Sequence, residues 1–108
     1  MNKHEITNKI FAFRNARNWK QFHTAENLSK SISIEAAELL ENFQWGDDIE
    51  KDAVVDELAD ILIYAYLLAD EIGCDVHQIM SDKVDRNEKR FPVEKVKNNS
   101  GKHTRVDA

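Results

Sequence analysis

Hydrophobic residues recur along this chain at intervals of three and four, the spacing of helices with one buried side. Ile6, Ile10, Phe13 and Arg17 trace one side of a first helix, about Lys3 to Lys20. Leu28, Ile32, Ala36, Leu39, Leu40 and Phe43 form the stripe of a second, about Ala25 to Phe43. Thr24 is placed to cap its N-terminus, and Gly46 to close it in a left-handed turn. Asp47 followed by Glu50 reads as a capping box opening a third helix, which runs to about Ile72 and is closed by Gly73. Asp75 with Gln78 caps a fourth, which stops before Pro92. From Val93 to Ala108 the chain turns polar and reads as a loose tail.

The third helix departs from the simple pattern. Val54, Leu58, Ile61, Ala65, Leu68 and Ile72 line one face, Val55, Leu62 and Ala69 flank it, and Leu67 stands opposite. A helix apolar around so much of its girth is buried on more than one side. In a chain of 108 residues the extra partner is expected to be another subunit. The predicted architecture is therefore all-α, an antiparallel four-helix bundle completed by oligomerisation, with one domain over residues 1–92 and a tail over 93–108.

Composition narrows the classes of function. Three Gly and one Pro leave few breaks, which favours long helices over many short strands. Acidic residues outnumber basic ones 20 to 15, for a net charge of −5, which argues against a nucleic-acid binder. The single cysteine, Cys74, excludes an internal disulfide and fits a reducing compartment. The N-terminus shows no apolar signal region, and the longest apolar run, Ile61 to Ala69, is too short to cross a bilayer. A soluble, cytoplasmic protein without a membrane partner is expected.

The acids are not scattered. Glu35 and Glu38 stand three apart on the second helix, and Glu57 and Asp60 three apart on the third, so each pair points to one side of its helix. If the two helices pack as a hairpin, four carboxylates converge at the rim of the core. Such groups repel unless cations sit between them, and carboxylate oxygens suit Mg²⁺, Mn²⁺ or Ca²⁺. No His follows these acids at the third position, which counts against a ferritin-like di-iron site. Spacing alone also admits ordinary solvated acids.

The order of residues adds to this. Trp19-Lys20-Gln21-Phe22-His23, followed by Asn27-Leu28, matches W-x-Q-F-H-x-x-x-N-L. Glu35 to Trp45 matches E-x-x-E-L-x-E-x-F-Q-W, Glu57 to Tyr64 matches E-x-x-D-x-x-x-Y, and Lys83 to Pro92 matches K-x-x-x-N-x-x-R-Y/F-P. In these blocks, which span about Phe11 to Pro92, the sequence resembles the MazG-like family of all-α nucleotide pyrophosphohydrolases, in particular its dCTP pyrophosphatase branch. Phe91 stands where Tyr is frequent, and the final residues follow the family only loosely.

The resemblance implies cleavage of a nucleoside triphosphate between its α and β phosphates, with dCTP-like deoxynucleotides as substrates. It implies Mg²⁺, with Mn²⁺ as substitute, held by Glu35, Glu38, Glu57 and Asp60, with one of these or Glu41 taking the proton of the attacking water. Lys83, Asn87 and Arg90, on one stripe of the fourth helix, become phosphate ligands, while Arg86 reads as a surface cation. Trp19, His23, Trp45 and Tyr64 become contacts to the base or sugar. A homotetramer built as a pair of dimers is expected, with a dimer as the alternative. Two other readings stand beside this one: the same scaffold acting on dUTP, a modified nucleotide or phosphoribosyl-ATP, and a helical interaction module without enzymatic activity.

Overall fold

The computed structural model describes residues 1–46 and 48–98. Among them are five α-helices, one 3₁₀ turn and no strand, which bears out the all-α expectation. The helices are α1 (Lys3–Ala16), α2 (Ala25–Glu41), α3 (Lys51–Glu71), α4 (Val76–Arg90) and α5 (Val93–Val96), with the 3₁₀ turn Trp19–Phe22 between α1 and α2. No helix among the described residues is long and apolar enough to cross a membrane. The chain divides into two compact units, residues 1–74 and the part from Asp75 onward.

In the first unit α2 packs along α3, and α1 packs on α3 as well. Glu35, in the second half of α2, meets Glu57 and Asp60 in the first half of α3, and Leu28 near the start of α2 packs with Leu67 near the end of α3, so the two helices run antiparallel. Arg14 at the end of α1 meets Asp70 at the end of α3, so those two run parallel. Ile10, Leu28 and Leu67, one from each helix, form the core, with Ile6, Phe11, Tyr64, Tyr66 and Leu68 packed against it. Leu28 retains 1% of its accessible surface.

The first helix is shorter than its pattern predicts. It ends at Ala16, because Asn18 takes a left-handed conformation (φ 53°) that turns the chain into the 3₁₀ segment. Asn is among the few non-glycine residues that accept this region readily. Its buried stripe also rotates: Arg14 is buried beside Ile10, and Arg17 is exposed. On α3 the reading of faces reverses in part. Leu67 is core, whereas Leu58 and Ile72 from the supposed main face are exposed, as are Val55 and Leu62 beside it.

Helix ends follow local chemistry. The Thr24 hydroxyl accepts from the Asn27 backbone N–H at 3.1 Å, and α2 stops at Glu41, two residues before its last expected apolar position. The capping box expected from Asp47 lies partly outside the described residues. The observed N-cap of α3 is Glu50, which makes no side-chain cap bond. At the other end Gly73 (φ +79°) donates to Asp70 O and Cys74 donates to Ala69 O. These two bonds are the Schellman closure that a left-handed glycine permits.

In the second unit the Asp75 carboxylate accepts from Gln78 N at 2.9 Å, capping α4 as predicted. The helix ends at Arg90 with Phe91 and Pro92 beyond it. Where a loose tail is expected, Val93–Val96 instead form a helical turn after Pro92. The rest of that tail, residues 99–108, lies outside the described residues.

Candidate functional site

Because α2 and α3 are antiparallel, the two acid pairs predicted from spacing face each other across the helix interface. One carboxylate oxygen from each of Glu35, Glu57 and Asp60 lies within 4.8 Å of the other two. All three side chains are half-buried, and Glu57 Oε2 is sealed from solvent with no hydrogen-bond partner among the described residues. Carboxylates this close repel one another unless a proton or a cation is shared between them. Contact with the Glu57 carboxylate, then loss of water, pushes the Glu35 carboxyl above its ordinary value. Glu38 is raised as well, first by its contact with Glu35 and then by the charge of that same group.

A divalent cation fits this donor set. Three all-oxygen ligands on two rigid helices, with one orphaned oxygen, suit a hard cation at about 2.0–2.6 Å from each oxygen. Glu38 stands apart from the three: its carboxylate touches Glu35 and Glu57, yet its side chain is exposed. Glu41 is also exposed and acts on Glu38 through its charge.

One turn beyond Asp60 on α3 lies Tyr64, and both line a cleft of about 520 Å³ between α1, the 3₁₀ turn and α3. Trp19 and His23 form one wall, and Phe13 and Leu67 add apolar surface. Local chemistry explains why the turn presents those rings. Asn27 Nδ2 donates to Phe22 O at 3.0 Å, and Gln21 Nε2 donates to Asn18 O at 3.0 Å, tying the turn at both ends. Trp19 meets Phe13 edge to face at 5.7 Å and stands 6.5 Å from His23. The Arg17 guanidinium covers Phe13 from outside, 3.7 Å from the ring centroid. Burial, then the charge of Arg14, lowers the His23 pKa below its usual value, with Glu71 acting against them. The imidazole is therefore neutral at pH 7, and its Nδ1 is buried with no partner among the described residues.

Of the residues singled out from sequence, the structure thus gathers Glu35, Glu57, Asp60, Tyr64, Trp19 and His23 in one region of the first unit. It does not bring Trp45 there: the ring follows α2 in the connecting loop, stands 89% exposed and is absent from the cleft wall. Lys83, Asn87 and Arg90 lie on α4 in the second unit, Lys83 exposed and the other two half-buried.

Two cations in the cleft escape the sequence reading, Lys9 and Arg14. Arg14 is 5% exposed, with Nη1 donating to Asp70 at 2.7 Å and Nε to Asn15 at 2.9 Å. Its guanidinium also stacks on Phe11, 4.8 Å from the ring centroid. A signal was present: Arg14 falls four residues after Ile10, inside the apolar stripe, where an unpaired charge would be costly.

A sequence model of the MazG-like family matches residues 30–105 of the chain. The chain is 35% identical to dCTP pyrophosphatase 1 of Mus musculus, an alignment covering 85% of this chain and 60% of that protein. It is 34% identical to dCTP pyrophosphatase 1 of Homo sapiens, over 87% of this chain and 61% of that one. The chain thus spans about 60% of the length of the curated relatives it matches. The crystal structure of a pyrophosphatase from Archaeoglobus fulgidus superimposes with a TM-score of 0.76 at 36% identity, covering 85% of this chain and 95% of that one.

Proposed function

The chain belongs to the MazG-like family, and from that premise we propose that it is a Mg²⁺-dependent nucleoside triphosphate pyrophosphohydrolase. The reaction is cleavage between the α and β phosphates, giving a monophosphate and pyrophosphate. Deoxynucleotides like dCTP are the proposed substrates, in keeping with the names of the Mus musculus and Homo sapiens relatives, and the role is upkeep of the nucleotide pool. The observation that carries this reading is the joining of two features at one residue. Asp60 belongs both to the group of three carboxylates and to the wall of the aromatic cleft.

Each part then has a task. Glu35, Glu57 and Asp60, with Glu38 beside them, hold Mg²⁺, for which Mn²⁺ can substitute. Bound there, the metal supplies charge neutralisation at the triphosphate and a lowered pKa for a coordinated water. One of these carboxylates, or Glu41 beside Glu38, takes the proton of the attacking water. Trp19 and Tyr64 offer flat faces on which a base can stack. A base held beside Tyr64 sits one helical turn from Asp60 and so directs its phosphates toward the acids. The assignment of Lys83, Asn87 and Arg90 to the phosphates, and of Trp45 to the nucleoside, rests on the likeness of their segments alone.

The partner proposed for the remaining apolar surface is a second copy of the chain, in a homotetramer of paired dimers. Val55, Leu58 and Leu62 form an exposed apolar row on α3, on a helix whose other side already holds the core. Leu58→Asp with Leu62→Asp is expected to yield a smaller species by sedimentation velocity. A monomer for the unaltered chain would remove the assembly from the proposal and leave the chemistry standing.

The test of the function is pyrophosphate release from each common dNTP and NTP, with Mg²⁺ and with EDTA. Metal-dependent release with a preference for dCTP is expected. No release from any nucleotide, together with no binding of Mg²⁺ or Mn²⁺ in a titration, would overturn the proposal in favour of a non-enzymatic interaction module.

A further inference from the structure

The cleft holds one feature for which a stacking pocket has no need. A buried guanidinium is costly unless paired, and Arg14 is paired, but it is also part of the cleft wall. Asp70 Oδ2 at 2.7 Å and Asn15 Oδ1 at 2.9 Å fix it from two directions, and Phe11 supports its plane. Those two bonds use two of the five N–H groups that a guanidinium carries. A guanidinium held by other residues and presented in a cavity is a preset donor fork, and such a fork pairs best with two adjacent acceptors in one plane.

His23 also lines the cleft and adds no second charge to it. Its imidazole is neutral, for the reasons given above, and its Nδ1 has no partner among the described residues and no access to water. The cleft therefore sets the remaining N–H groups of the Arg14 guanidinium beside a neutral imidazole.

Base edges differ in the complement they present. Cytosine shows the acceptors O2 and N3 side by side, followed by the donor N4–H₂. Uracil and thymine show acceptor, donor, acceptor, so that N3–H opposes a donor fork. Adenine has no carbonyl. Guanine also has two adjacent acceptors, O6 and N7, so the fork separates cytosine from uracil, thymine and adenine but not from guanine.

We propose that Arg14 is a specificity-determining residue of this cleft, its guanidinium donating to O2 and N3 of a cytosine. Asp70 and Asn15 are its positioning residues. This rests on the nucleotide reading above and adds to it the atoms that select the base. Size alone would not make the selection: cytosine and uracil have nearly the same outline, so the cleft must tell them apart by hydrogen bonds. A charge-assisted hydrogen bond that one ligand makes and the other cannot is worth roughly a ten- to hundredfold difference in affinity.

The experiment compares dCTP with dUTP turnover, and dCMP with dUMP binding by calorimetry without metal. The proteins are the unaltered chain, Arg14→Lys, and the double variant Arg14→Met with Asp70→Leu. Arg14→Lys keeps a cation opposite Asp70 but loses the planar fork. The double variant replaces the whole ion pair with apolar groups, so that no buried charge is left alone, and thermal melting reports whether each protein is folded. The expected result is a preference for the cytosine nucleotide in the unaltered chain that falls about 10- to 100-fold in both variants, mainly through KM. Asp70→Asn, which keeps an acceptor for Nη1, is expected to retain most of it. Folded variants with the original preference, or an unaltered chain that binds dUMP as well as dCMP, would overturn the inference. If the unaltered chain hydrolyses no nucleotide yet binds dCMP over dUMP through Arg14, the catalytic reading fails and this one stands.

Discussion

At the acidic end of the α2/α3 pair, Glu35, Glu57 and Asp60 crowd like charges against one another, and one oxygen is sealed away without a donor. In the adjoining cleft the opposite holds: the buried charge, Arg14, is met by Asp70, Asn15 and the face of Phe11. The first region is frustrated as it stands and gains from a cation that arrives from outside. The second has its ion pair completed within the fold and is rigid before any ligand comes. On the proposed function, a polyphosphate would bring metal to the first region, whereas a base would be recognised in the second by groups already in place. The difference in construction matches the difference in task.

The comparison breaks most completely if the acids can be removed without consequence. Asp60→Ala or Glu57→Ala takes away one of the two α3 carboxylates in the group of three proposed to hold the metal. Loss of metal-based charge stabilisation, several kcal/mol, corresponds to a fall in kcat of roughly a thousandfold or more. Helical content by circular dichroism should be unchanged. Near-normal turnover in either variant would reduce the cluster to a set of surface acids. Glu38→Ala tests a finer point: Glu38 is exposed and outside the group of three. A loss smaller than that of Asp60→Ala would place it in support of Glu35, and an equal loss would place it among the metal ligands.

On the cleft side, Trp19→Ala removes a stacking face worth about 1–3 kcal/mol, which is roughly a 10- to 100-fold rise in KM. Because Trp19 is wedged edge to face on Phe13, steady-state kinetics should be read beside the melting temperature. A rise in KM with little change in kcat marks a binding surface. A fall in kcat alone would mean that the base does not rest there. Trp45→Ala is the matched control: its ring is exposed in the connecting loop. If its KM rises as much as that of Trp19→Ala, then Trp45 joins the nucleoside site in the working form of the protein.

The two regions were not equally legible in the sequence. The acids could be read because helical geometry is local: an i, i+3 pair fixes two side chains on one face, and a short connection makes two helices antiparallel. With those two facts, a hairpin of α2 and α3 was expected to bring Glu35 toward Glu57. Arg14 and Asp70 are 56 residues apart and belong to helices that are not consecutive. No local rule pairs them, and Arg14 received no role from its place on α1. The same limit explains α3. Its apolar girth led to the expectation that two sides are covered, but which side meets α1 and α2 depends on packing around Leu67 and Leu28. The break at Asn18 was missed because its left-handed backbone is compatible with Asn but not demanded by it.

The smallest effect is the most direct measure of the strain among the acids. Without a cation, the Glu35 and Glu38 carboxyls titrate above the ordinary glutamate value. Between the ordinary and the raised values the folded chain therefore binds more protons than the unfolded chain. Stability then falls as pH rises through that interval, since its slope follows the unfolded minus the folded proton count. His23 works in the other direction: its lowered pKa makes the folded chain bind fewer protons, so its part of the stability grows as pH rises toward the usual histidine value of 6.5. Glu35→Gln separates the two. It removes the largest cause of the Glu38 shift and one of the two shifted groups, while leaving His23 untouched. In EDTA, the melting temperature of the unaltered chain should drop relative to Glu35→Gln as pH is raised from the ordinary glutamate range toward neutrality. Mg²⁺ should close the gap. Parallel curves for the two proteins in EDTA would mean that the acids do not strain the fold, and the contrast between a frustrated metal end and a completed cleft would then have to be given up.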